Sequence, residues 1–74
     1  MADQELDVRG LNCPLPILKT KKALNTMQSG ETIHVLATDP GSVLDFKAFA
    51  IQTGNQLLEL NETDGVFSFL IKKA

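Results

Sequence analysis

Two prolines one residue apart, Pro14 and Pro16, constrain this 74-residue chain more than anything else in it. Proline lacks an N–H and holds φ near the helical value, so it suits a helix's first turn and breaks a helix interior. The pair therefore fixes a helix start. Beyond it Ile17, Thr20, Leu24 and Met27 recur at the spacing of one helical face. The spacing predicts a helix over Pro14 to Gln28. Ser29-Gly30 ends it, with Gly30 suited to the left-handed C-terminal position. Leu15 and Leu18 fall off that face and allow two readings, a widened apolar stripe or an exposed contact patch.

The residue before a proline is pushed into extended backbone. Here that residue is Cys13, the only cysteine, which is expected at or near the N-cap. Its sulfur would then face the free N–H groups of the first turn. Those groups and the helix dipole favour an anion by about 0.3–1 kcal/mol, so the sequence predicts a lowered thiol pKa and a usable thiolate. Charge along the chain points the same way. The net charge is -2, yet Arg9, Lys19, Lys21 and Lys22 fall in a stretch with no acid, which predicts a locally positive cysteine end. The plain alternative is a buried structural cysteine, since free cysteine is among the most buried residue types. One Cys and one His fall short of the four ligands usual for zinc.

The rest of the chain alternates cleanly. Glu5-Leu6-Asp7-Val8 reads as a short half-buried strand, and Gly10 permits the turn out of it. Glu31 to Thr38 reads as a second strand, with Ile33, Val35 and Ala37 on one side and His34 on the other. His34 reads as a surface strand residue rather than a catalytic base. Asp39-Pro40-Gly41-Ser42 is a turn in which Asp or Ser can cap the next helix. That helix is predicted over Val43 to Thr53, with Val43, Phe46, Ala50 and Thr53 inward, Phe49 flanking them, and Gly54 as its stop. Leu57 to Glu62 and Val66 to Lys73 read as strands joined by Thr63-Asp64-Gly65.

The order is β-α-β-α-β-β. It predicts an α/β chain of the α+β two-layer type, a four-stranded mixed sheet with both helices on one face. Residues 1–74 are expected to form one domain. The outer sheet face, with Thr32, His34, Glu59 and Ser68, is left toward water. A lone cysteine argues for a reducing, cytoplasmic compartment, and no apolar run suggests a signal peptide or membrane span.

The chain resembles the TusA/SirA-like sulfur-carrier family. The matching residues are Asp7 to Pro16 around Cys-Pro-x-Pro, Lys21-Lys22-Ala23-Leu24, Gly30-Glu31, Thr38 to Ser42, Thr53-Gly54-Asn55 and Asp64-Gly65. The resemblance implies a two-layer sandwich in which Cys13 is the sulfur-accepting residue. It implies a donor such as a cysteine desulfurase or rhodanese, and a downstream acceptor protein. The pathways implied are tRNA thiolation, molybdenum-cofactor supply or sulfur oxidation. Some members carry an acid where this chain has Leu15.

On this reading the Cys13 thiolate attacks the outer sulfur of a persulfide without a general base. Pro14, Leu15, Pro16 and Leu18 belong to the docking surface, and Arg9, Lys19 and Lys22 are candidates for electrostatic docking. No cofactor, metal, membrane or direct nucleic-acid partner is expected, and the chain is expected to be monomeric. Three other readings compete: an interaction or regulatory module whose cysteine docks or senses redox state, a nucleic-acid binder, and a thiol redox protein. The negative charge weighs against the second, and the missing resolving cysteine against the third.

Overall fold

A computed structural model describes residues 2–74. The strands are β1 (Gln4–Asp7), β2 (Thr32–Ala37), β3 (Gln56–Thr63) and β4 (Val66–Lys72), and the helices are α1 (Leu15–Asn25) and α2 (Ser42–Thr53). They form one four-stranded sheet in the order β1-β2-β4-β3, with α1 and α2 supplying the second layer. β1 and β2 are parallel, with Leu6 opposite Val35, while β4 lies antiparallel to both β2 and β3. The expected mixed two-layer architecture is the one found.

Alternation along the strands sorts the side chains. Ile33, Val35, Ala37, Phe69 and Ile71 face the helices and are fully buried. Phe46 of α2 stacks on Phe69 at 4.3 Å between ring centroids and meets Phe49 edge-on at 6.5 Å. Leu24 and Met27 close the layer from the side of α1. Thr20, also buried, is satisfied by donating its hydroxyl to the Pro16 carbonyl at 2.8 Å. On the outer face His34 and Ser68 are half-buried and Glu59 is exposed, as expected.

Three local expectations change. The first helix ends at Asn25 rather than Gln28, because the N–H groups of Thr26 and Met27 bond three residues back, to Ala23 and Leu24. The Lys73 ammonium takes the Leu24 carbonyl at 2.8 Å, a cation where the helix dipole is negative. Thr53, expected inward, is exposed, and Phe49 takes the buried place beside Phe46 and Ala50. The β3–β4 hairpin is tighter than expected. Thr63 pairs with Val66, so the loop is Asp64-Gly65 alone, both at positive φ, 52° and 80°. That is the backbone a two-residue hairpin turn requires.

The topology places the chain's reactive end. β1 and β2 are parallel neighbours, and each is followed by a helix. The loops leaving both strands therefore open on the same edge of the sheet, where α1 and α2 begin.

Candidate sulfur-accepting site

Cys13 lies on that edge, exposed, in the turn before α1. Two hydrogen bonds fix its loop to the loop after β2. The Gly10 N–H donates to the Thr38 hydroxyl at 2.9 Å, and the Cys13 N–H donates to the Asp39 carboxylate at 3.0 Å. The other Asp39 oxygen accepts from the Gly41 N–H at 3.3 Å. Asp39 thus joins the two loops instead of capping α2 with its side chain, and the Ser42 hydroxyl at the start of α2 is buried with no bonded partner.

The sequence expectation of a lowered thiol pKa is overturned in direction. Hydrogen bonding to the Asp45 carboxylate pushes the Cys13 thiol above its ordinary value, with desolvation and the negative charges of Asp45 and Asp39 adding to it. The helix start explains why no opposing pull prevails. Pro14, not Cys13, holds the N-cap position. Pro14 and Pro16 contribute no N–H, Leu15 spends its own on the Asn12 carbonyl at 2.9 Å, and Leu18 bonds to Pro14 at 3.0 Å. The prolines that mark the helix thus also remove two of the first-turn donors that could hold an anion.

The expected positive surroundings are corrected for the same edge. Arg9 is engaged in a two-point pair with Asp7, at 2.9 and 2.8 Å. It holds the Asp7 carboxyl down to about 2. Acids distant in sequence, Asp39 and Asp45, are the charges that reach the sulfur. Lys19 and Lys22 are exposed on α1. Leu15 and Leu18 are exposed at 45% and 52%, so they stand outside the apolar layer. Pro16 is buried, so it shapes the start of α1 rather than offering a contact surface. Pro14 remains exposed beside the cysteine.

His34 is not part of this site. Its ring pairs with the Ser68 hydroxyl on the outer sheet face, 4.0 Å from the Glu5 carboxylate. Among the described residues no group of three or more His, Cys, Asp or Glu is placed to hold a metal ion, and no helix is long and apolar enough to cross a membrane. Asp39 carried a signal in the sequence, as the first residue of an Asp-Pro-Gly turn. Asp45 carried none, because only the parallel pairing of β1 and β2 brings α2 to Cys13.

A lone exposed cysteine before a proline-started helix, on a two-helix, four-stranded sandwich, defines a class of small proteins that present a single thiol. The comparisons make the class specific. The family model described as "Sulfurtransferase TusA" matches residues 4–73, and the chain belongs to that family. It is 68% identical over 72 residues to the sulfur carrier protein TusA of Allochromatium vinosum, covering 97% of this chain and 95% of that one. Among solved structures it superposes on the SirA-like protein of Desulfitobacterium hafniense with a TM-score of 0.83 and 31% identity, covering 93% of this chain and 95% of the other.

Proposed function

We propose that the chain carries sulfane sulfur on Cys13, taking it from a protein persulfide and passing it to an acceptor protein. One observation carries the reading. The single cysteine is exposed on the edge where both helices begin, within Cys-Pro-Leu-Pro. A sulfur there is reachable by a partner's active-site thiol, and no second cysteine can capture it as an internal disulfide.

Loading is an exchange in which no atom is lost. The Cys13 sulfur forms a bond to the outer sulfur of the donor persulfide. The donor's S–S bond breaks, and its electron pair leaves with the donor thiolate. The Cys13 proton passes to that thiolate, so a thiol and a persulfide change places. Cysteine desulfurases and rhodaneses are donors of the required chemistry. Wobble-uridine thiolation, molybdenum-cofactor supply or sulfur oxidation is the downstream use, served from the cytoplasm by a monomeric carrier. Leu15, Leu18, Lys19 and Lys22 surround the approach along α1 as docking contacts.

The test is an intact mass after incubation with a low-molecular-weight persulfide. The native chain should gain one sulfur atom, and Cys13→Ser should gain none. Uptake that survives the substitution, or no uptake by the native chain, would refute the reading. Complex formation with a sulfur donor that is unchanged in Cys13→Ala, without sulfur uptake, would instead support an interaction module.

A further inference from the structure

Both helices pack on one face of the sheet, and the strand register draws the side chains of the other face into rows. Glu5, His34, Leu70 and Glu59 are partners in turn across β1, β2, β4 and β3. The next row holds Leu36, Ser68 and Asn61. The His34 ring ties the rows together. Its Nε2 pairs with the Ser68 hydroxyl, and its Nδ1 lies 4.0 Å from the Glu5 carboxylate. His34, Ser68 and Leu70 are half-buried, whereas Glu5, Glu59 and Asn61 stand exposed around them. These six side chains line a cavity of about 330 Å³, a volume in the range of small-ligand sites.

The lining is chemically one-sided. Carboxylates only accept hydrogen bonds, and here one stands at each end of a row. Among the described residues no lysine or arginine lines the cavity. Lys72, on the same face, belongs to the row beyond, with Thr32 and Gln56. An anion, sulfur-bearing or not, would meet like charge here, so the cavity stands apart from the Cys13 chemistry. Three strand spacings part Glu5 from Glu59, roughly 14 Å between their backbones. Leu70 gives that interval an apolar floor.

We infer that this cavity binds an aliphatic diamine, laid across the strands with one ammonium at Glu5, the other at Glu59 and its methylenes on Leu70. The inference does not depend on the carrier reading. Each end gains a charge-assisted hydrogen bond, and the middle takes apolar surface out of water. Both carboxylates are exposed, so either end alone contributes little. Selectivity therefore comes from a ligand long enough to meet both ends at once. The plainer role of the two glutamates is to keep an open sheet face wet, and that role would attract any cation according to its charge alone.

Backbone amide NMR shifts of the folded chain, titrated with 1,8-diaminooctane at fixed ionic strength, separate these roles. The shifts should saturate and cluster at His34, Asn61, Ser68 and Leu70. The ligand should bind severalfold more tightly than 1,3-diaminopropane, which has the same charge but is too short, and than octylamine, which has the chain but one charge. Glu5→Gln and Glu59→Gln should each weaken it severalfold and remove its advantage over octylamine. Glu62→Gln is the control, since Glu62 is exposed in β3 opposite Phe67, on the helix-facing side. It should change nothing. Equal affinity for the two diamines, an equal effect of Glu62→Gln, or shifts that are scattered or never saturate would overturn the inference. So would a pentalysine peptide that binds this face while the diamine does not, because the occupant would then be a partner protein's lysines.

Discussion

Asp45 and Phe46 are neighbours in α2, yet one stands half-buried beside Gly41 in the loop that holds the Cys13 loop, and the other is sealed at 0% exposure between the layers. The two regions they serve are built from different forces. The apolar layer is held by close packing of Phe46, Phe69, Ile33, Val35 and Ile71, which is non-directional and scales with buried area. The Cys13 edge is held by single hydrogen bonds from Gly10, Cys13 and Gly41 to polar side chains. Loss of a core ring should therefore cost the fold, whereas loss of an edge contact should cost the site first. α2 belongs to both regions, because Asp45 and Phe46 are adjacent in it.

The sharpest way to break this contrast is Phe46→Ala. Truncating a fully buried phenylalanine costs about 3–5 kcal/mol, comparable to the whole net stability of roughly 3–5 kcal/mol expected for an unstapled chain of this size. The variant should be largely unfolded by circular dichroism at 25 °C. A cooperative melt close to the native one would show that packing is not what holds the layer.

Asp39→Ala should be milder and local. It removes the acceptor of two backbone N–H groups at an exposed site, for an expected loss of about 1–2 kcal/mol. The melting midpoint should fall by roughly 4–16 °C, at ~4–8 °C per kcal/mol in a domain of this length. Amide exchange should accelerate at Cys13 and Gly41 while Val35 and Phe69 stay protected. Uniform loss of protection would mean that the edge and the core are a single cooperative unit.

The smallest effect lies in acid. The Asp7 carboxyl is lowered from 3.8 to about 2, first by the Arg9 side-chain hydrogen bond and then by the Arg9 N–H. A group lowered on folding contributes above its unfolded value and loses that contribution as pH falls through the folded one. The pair's part should thus be complete above about pH 4 and fade toward pH 2. Both side chains are about half exposed, at 51% and 54%, so salt should screen it. Arg9→Gln should flatten the acid slope slightly, and a large change would show a stronger coupling than an exposed pair permits.

The contrast also explains which features the sequence could reveal. Period-two alternation in Val66 to Lys73 and the helical spacing of Leu24 and Met27 recorded the apolar layer, because packing leaves a repeating pattern. Pro14, Gly54 and Gly65 recorded backbone constraints at single positions. The site's electrostatics left no such trace. Charge counted along the chain from Arg9 to Lys22 suggested a positive end, but folding brings in Asp39 and Asp45 and pairs Arg9 with Asp7. Parallel pairing of β1 with β2, a contact between residues some thirty positions apart in the chain, is what turns the sign. The helix start was read correctly from Pro14 and Pro16, whereas their effect on the donors around Cys13 depended on where Asn12 and Leu15 bond.

The central claim is that Cys13 holds sulfur reversibly, and its most direct test is the return step. The chain is loaded with a low-molecular-weight persulfide, freed of excess reagent, mixed with an acceptor thiol and followed by intact mass. The account predicts that the added sulfur maps to the peptide containing Cys13, that it leaves within the reaction, and that the chain returns to its starting mass with its thiol free. Sulfur that remains on the chain in the presence of excess thiol, or that maps elsewhere, would contradict it.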